Sequence, residues 1–413
     1  MSIEEATKRS LGDPSDGTGR CTSVEPGPAA AKALCHLYIH MQHIKDPRKQ
    51  ELVVHLLYDI LVITVLAVIC GANTFVMVET FAEDKEDFLR TFLRLPGGIP
   101  SHDTIGRVFS RLHPAGLQKC LISWSQALRA SIPSEVVAID GKTLRRSFDK
   151  AAQKTALHMV SAFAAANQLV LGQMSSLAKK NEVAAIRALL PLLDLQGSIV
   201  TIDAGGTQKS IAKLILACGA DFVLALKANH KNLFHQVIER FNRLHQNVGA
   251  PFVPILHKIH TEVDKAHGRI EERKVTVMDV TDWITKKSHG AWYGLIKSVV
   301  CVESTRILGA KTSIEKRFYI SSLPYEQVMR IANAIRVHWS VENQLHWVLD
   351  VTFDQDRSRV RKDNAPENFA IAQSLGLNFL KTFSDPKKSI PQKRFKALSN
   401  NRYLLNIIGF SMQ

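Results

Sequence analysis

The chain has 413 residues, 46% of them apolar, and a formal net charge of +15. That apolar content can fill a large core spread over two or three domains, and the positive balance favours a polyanionic partner. Six cysteines, at positions 21, 35, 70, 120, 218 and 301, form no Cys-x-x-Cys pair, which argues against a disulfide framework or a thiolate metal site and fits reduced thiols in a cytoplasmic protein.

Residues 1–32 combine Gly, Pro, Ser and charge without an apolar period, so they are expected to be disordered, and they lack the apolar core of a signal peptide. Residues 33–130 read as a helical N-terminal domain. Its most apolar run, Ile60 to Ala72, covers 13 residues, short of the roughly 20 that span a bilayer; it predicts a buried helix and no membrane partner. Gly97 to Leu112 reads as a turn followed by a short capped helix, with Ile105, Val108, Phe109 and Leu112 facing inward. His102, Arg107 and Arg111 fall on its outer face. That face suits either a helix-turn-helix-like contact with DNA or an ordinary solvated helix.

From residue 131 the pattern changes to strands alternating with helices. Glu135 to Lys142 and Gly197 to Gly206 are β-branched runs that lead into Asp140 and Asp203. Between them, 157–163 and 169–172 predict a hairpin, and Asn181 is placed to cap a helix through Leu193 with Glu182 in its first turn. A helix over 208–218 and a buried strand over 221–226 follow. The stretch from about 250 to 323 is too long for a loop and carries alternating runs, so a strand-rich insertion is expected there; His267-Gly268-Arg269 within it reads as a basic turn.

A long helix is then predicted after Pro324. Heptad spacing puts Ile331, Ile335, His338, Glu342, Leu345 and Leu349 on one face, with Glu342 inside the apolar stripe. A carboxylate buried there requires a cation or a hydrogen-bonding partner. Two strand-end aspartates and this glutamate can converge as oxygen ligands, which suit Mg²⁺ or Mn²⁺ better than zinc. Such clusters serve paired metals in phosphodiester cleavage. His338 and His346 flank Glu342 four residues away on either side; a zinc site of His-x3-Glu-x3-His form is the weaker reading, because the aspartates fit a hard metal. The basic residues Arg357, Arg359, Arg361 and Lys362 follow Asp350, Asp354 and Asp356 and read as phosphate contacts or a solvated loop. Residues 385–413 form a basic C-terminal extension.

The segments VAIDGKTLRRS, ALHMVSAF, KKNEVAAI, IVTIDAGGTQ, ADFVLALKANH, FYISSL and IRVHWSVENQLHWVLDVTFDQDRSRVRKDNAPENFA, with GGIPSHDTIGRVFSRL before them, together resemble bacterial insertion-sequence DDE transposases of the As-one type, the H-repeat-associated group. The resemblance runs from about Leu34 to Leu405. It implies an α/β fold with an RNase H-like catalytic core over 131–384, a mixed sheet flanked by helices, in which the Asp140 and Asp203 strands lie side by side. It also implies Asp140, Asp203 and Glu342 as a metal-binding catalytic triad holding two Mg²⁺ ions, with Mn²⁺ able to substitute. The implied partners are double-stranded DNA, both the element's terminal inverted repeats and the target, bound by a homodimer associated with the nucleoid. Lys142, Arg145 and Arg146, close after Asp140, join Arg107, His338, His346 and the 357–362 run as candidate DNA contacts. The sequence departs from the family pattern at Ala204-Gly205-Gly206-Thr207-Gln208 and at Lys227-Ala228-Asn229-His230. The alternative function is a transposase-derived DNA-binding protein that no longer cuts.

Overall fold

The computed structural model describes residues 38–410 apart from 130, 131, 133, 134, 150–152, 177–180, 247–254, 267, 268 and 310. The expectation of disorder over 1–32, and the His267-Gly268 part of the basic turn, therefore lie outside the described residues.

The first helices are α1 (Leu57–Ile69), α2 (Phe75–Asp84), α3 (His102–Arg111) and α4 (Pro114–Leu128). α1 is the predicted apolar run and is buried from Asp59 to Ile69. No helix among the described residues is long and apolar enough to cross a membrane. α3 starts as expected, with the Ser101 hydroxyl accepting the Thr104 N–H at 3.3 Å and Ile105, Val108 and Phe109 turned inward.

Nine strands then form one mixed sheet. β1 (Val136–Thr143), β2 (His158–Ala164) and β3 (Leu169–Ser176) make an antiparallel set. Next come α5 (Glu182–Leu189), β4 (Ile199–Ile202), α6 (Lys209–Ala217), β5 (Asp221–Leu226) and α7 (Lys231–Gln246). β1, β4 and β5 pair in parallel. Asn181 begins α5 without a side-chain capping bond, a departure from the predicted cap.

The stretch expected to be rich in strands supplies β6 (His257–Ala266), β7 (Arg269–Asp279), β8 (Ser298–Leu308) and β9 (Lys311–Ser321). These are joined to the first set in the order β3-β2-β1-β4-β5-β9-β8-β7-β6. The final helices are α8 (Val328–His338), α9 (Trp347–Val351), α10 (Ala365–Thr382), α11 (Ile390–Ser399) and α12 (Asn401–Phe410).

α10 ties the helices to the sheet. It is buried from Ala365 to Leu380 and packs on α1, α3, α4 and β3. β3 is a sheet edge, with a row of backbone groups that need partners. Asn378 meets them: its Oδ1 accepts the Val170 N–H at 2.9 Å and its Nδ2 donates to the Val170 carbonyl at 3.0 Å. The basic C-terminal residues are helical and partly interior. Tyr403, Leu404 and Ile407 join the core of α1 and α10. Lys393 donates to the carbonyls of Leu380 and Phe383 at 2.9 and 2.6 Å, satisfying groups that the end of α10 leaves open.

Candidate active site

A cleft of about 380 Å³ is lined by Asp140, Asp203, His338 and Glu342 together with parts of β5 and β9. Strand register brings the aspartates there. Ile139 and Ile202 form the last pair of the β1–β4 ladder, so Asp140 and Asp203 are the next residues on neighbouring parallel strands. Asp140 does not end its own strand, as the sequence suggested. β1 runs on to Thr143 against β2; the end of the shorter β4 puts Asp140 at the rim, the end of an α/β sheet where ligands bind.

Asp203 is the first residue after β4 and is exposed. The Gly206 N–H donates to its Oδ1 at 3.1 Å. Gly206 is required by packing, since a β-carbon there would lie 2.4 Å from Ile202 Cγ2. The two departures from the family pattern meet here. Asn229 Nδ2 donates to the Ala204 carbonyl and His230 Nε2 to the Thr207 carbonyl, each at 2.7 Å, so the second segment fastens the loop that carries Asp203.

Glu342 is exposed rather than part of the apolar stripe. The helix is interrupted at Trp339 and widens into a π-helical turn over Glu342–His346, a feature that often marks functional sites. The wider turn shifts the register. Val341, Leu345 and Leu349 take the core positions at 1%, 0% and 2% exposure, and Glu342 turns into the cleft. Within the turn, Gln344 Oε1 and His346 Nε2 are buried without a hydrogen-bond partner among the described residues.

Burial, reinforced by the negative charges of Asp203, Glu182 and Glu342, pushes the Asp140 carboxyl up to about 7. His346 lies with Nδ1 3.6 Å from Asp140 Oδ2; burial, then the nearby positive charge of Lys142 and His158, pulls it down to about 4. His338 Nδ1 is 2.9 Å from Thr201 Oγ1, and burial lowers its basicity as well. The two histidines that flank Glu342 in sequence are thus directed at different partners.

The candidate DNA contacts divide. Lys142 is not offered to solvent: it bonds Asp350 and Gln355, the latter at 2.8 Å, and has Asp356 at 4.0 Å. Arg145 is exposed and 3.3 Å from Asp356. Arg361 donates to the Arg146 carbonyl at 3.0 Å and stacks on Phe148 at 4.7 Å. Arg357 is exposed and 3.6 Å from Asp354. Arg146, Arg359 and Lys362 are also exposed. Arg107, exposed on α3, is not among the residues lining the cleft.

Sequence reading missed several neighbours. Lys227, Arg317 and Trp339 line the cleft wall, with the Arg317 guanidinium 4.1 Å from the Trp339 ring. His158 and Glu182 lie buried beside Asp140's strand. Glu182 was legible only as an acidic residue in a helix's first turn, and His158 only as one member of a strand.

The carboxylates are hard oxygen donors of the kind that Mg²⁺ and Mn²⁺ prefer. They line one cleft, but with the side chains as they stand no group of three or more His, Cys, Asp or Glu among the described residues is arranged to hold a metal.

Residues 132–379 match the family model "Transposase DDE domain", and residues 38–125 match the model "DDE_Tnp_1-associated". The protein YbfL of Escherichia coli strain K12 is 37% identical over 375 residues, covering 90% of this chain and 97% of YbfL. The H repeat-associated YhhI of the same strain has the same identity and coverage. A short relative from that strain, named "Inactive transposase YbfQ", is 46% identical over 74 residues, covering 17% of this chain and 88% of its own length.

Proposed function

Since the chain belongs to the DDE transposase family, we propose that it cuts phosphodiester bonds at the ends of its insertion sequence and joins the freed 3′-hydroxyl to target DNA, with Asp140, Asp203 and Glu342 as the catalytic triad. One observation carries this reading: carboxylates from β1, from the loop after β4 and from the π turn before α9 line a single cleft. Positions 140 and 342 are 202 residues apart in sequence (342 − 140). The strand order β2-β1-β4-β5, with its hairpin and crossover helices, supports an RNase H-like core.

Asp140, Asp203 and Glu342 would hold Mg²⁺ or Mn²⁺, after side-chain rotation gathers them. When bound, such ions supply a nucleophile at neutral pH and stabilise the departing oxygen. The chain's own residues set the geometry. The Gly206 N–H fixes one oxygen of Asp203. Asp140 is held by β2, where it pairs with Ser161, one residue beyond the last β1–β4 pair. Thr201 orients His338 at the cleft wall. Exposed Arg145, Arg146, Arg357, Arg359 and Lys362 would contact the phosphates of the terminal inverted repeats and of the target, and Arg107 would extend the contact from the helical region. A homodimer would hold two ends together.

The zinc reading is less well supported, because His346 faces Asp140 while His338 faces Thr201. A second reading, DNA binding without cleavage, is kept because one relative carries the name inactive transposase. The test is incubation of the full chain with duplex carrying the sequence that flanks its gene. Cleavage should require Mg²⁺ or Mn²⁺ and be absent with Ca²⁺, which accepts looser coordination. Specific binding without divalent-dependent cleavage would favour the second reading.

A further inference from the structure

The face of the sheet opposite the cleft carries a polar pair that this mechanism does not use. Side chains alternate along a strand, so Asp140 faces the cleft while Gly141 faces the side on which α5 packs. There His158, opposite Thr143 in the β1–β2 ladder, has Nδ1 3.0 Å from Thr143 Oγ1 and Nε2 3.3 Å from Glu182 Oε2. Both residues are interior, at 2% and 9% exposure.

The pair lies directly over the backbone that follows Asp140. A β-carbon on residue 141 would fall 2.4 Å from His158 Nε2 and 2.9 Å from Glu182 Oε1. Glycine lets the pair come this close, since any β-carbon would push the imidazole and carboxylate tips away; its backbone angles do not require it, because Gly141 is not among the residues of positive φ. Glu182 is also near enough for its charge to act on the Asp140 carboxylate, alongside Asp203 and Glu342. A helix start needs no such arrangement: an exposed acidic side chain would serve the helix dipole without the cost of burying a carboxylate.

We propose that Glu182, held by His158 across Gly141, is a positioning residue for Asp140, fixing the end of the catalytic strand and adding the negative field that draws a divalent cation to the Asp140 side of the cleft. This rests on reading the cleft as a metal site. Neighbours that orient a ligand and raise its effective charge commonly govern metal affinity by tenfold or more.

The test is Mn²⁺ titration calorimetry on the full chain without DNA, together with metal-free melting curves. Glu182→Gln should bind Mn²⁺ about tenfold more weakly than the parent while melting at a similar temperature. Glu182→Asp, which keeps the charge, should recover most of the affinity. His158→Asn, which keeps the Glu182 charge but loosens the clamp, should weaken binding by a smaller factor. Parent-like affinity in Glu182→Gln, with Asp140→Asn impaired, would overturn the positioning role and leave the metal site standing. Should Glu182→Gln fail to fold, parent-like affinity in His158→Asn would overturn it equally. Parent-like affinity in Asp140→Asn would instead remove the metal reading on which the inference rests.

Discussion

The helical region around α10 and the cleft both gather charged side chains, but they treat them differently. In the helical region the buried cations Lys393 and Arg394 are supplied with oxygen. Arg394, 5% exposed, donates to the carbonyls of Thr352 and Val68 and to Asn73 Oδ1, the last two at 3.0 and 3.1 Å. Its Nε has no oxygen partner among the described residues, but the guanidinium lies 4.2 Å from the Phe353 ring. Carboxylates line the cleft together, His346 Nε2 beside it has no partner among the described residues, and the helix carrying Glu342 is widened by a π turn. The helical region thus gives its buried cations oxygen partners, although Trp124 Nε1 and Asn368 Oδ1 there have none among the described residues, whereas the cleft gathers carboxylates of like charge. Functional sites commonly hold such local cost against a rigid surround.

The contrast can be broken from either side. The larger stability effect belongs to the helical region. Arg394→Leu would take the guanidinium donor from the Thr352 carbonyl and Asn73 Oδ1 and leave the Val68 carbonyl, near the end of α1, to backbone donors such as the Gly71 N–H, and should destabilise the protein by about 3 kcal/mol, read as a shift in the urea midpoint. A loss within about 0.5 kcal/mol would mean that these bonds are incidental.

The smaller effect belongs to the cleft and has the opposite sign. Burial and neighbouring carboxylates raise Asp140 from an ordinary 3.8 to about 7 in the folded chain. Between those values the folded state holds a proton that the unfolded state releases, so the metal-free protein loses stability as pH rises through this window. Above pH 7 the penalty is complete. The full shift corresponds to about 4 kcal/mol, and solvent reaching a side chain that is 21% exposed reduces it, so in chelator Asp140→Asn, which carries no such penalty, should be more stable than the parent by on the order of 2 kcal/mol at pH 8 and close to it near pH 4. Parallel stability profiles for parent and variant would contradict the assigned electrostatics.

Much of this was legible in the sequence, and the limits have physical causes. β-branched runs ending in aspartate located Asp140 and Asp203, because a buried strand must be apolar along its length and a carboxylate marks where burial stops. The apolar helix α1 and the Ser101 cap were readable from local composition alone. The orientation of Glu342 was not. Heptad counting assumes a regular helix, and the π turn that moves Val341 into the core depends on packing against distant residues. Lys142 reads as a DNA contact in sequence because its partner Asp350 is 208 residues away. Lys393 and Arg394 read as charges on a surface extension, since nothing local announces the carbonyls that receive them. The His158–Glu182 pair is hidden for the same reason: its meaning depends on Gly141, brought beside it by β-sheet pairing.

The central claim is that the three carboxylates of the cleft serve chemistry rather than DNA affinity or folding, and Glu342→Gln tests it most directly. The amide keeps the shape of the side chain and removes its charge. With end-containing duplex and Mg²⁺, measured side by side with gel-shift affinity, the variant should cleave at least about a hundredfold more slowly than the parent. It should bind the same DNA as well as the parent or slightly better, since a carboxylate facing phosphates is repulsive. A Glu342→Gln protein that cleaves like the parent but no longer binds the DNA would contradict the triad.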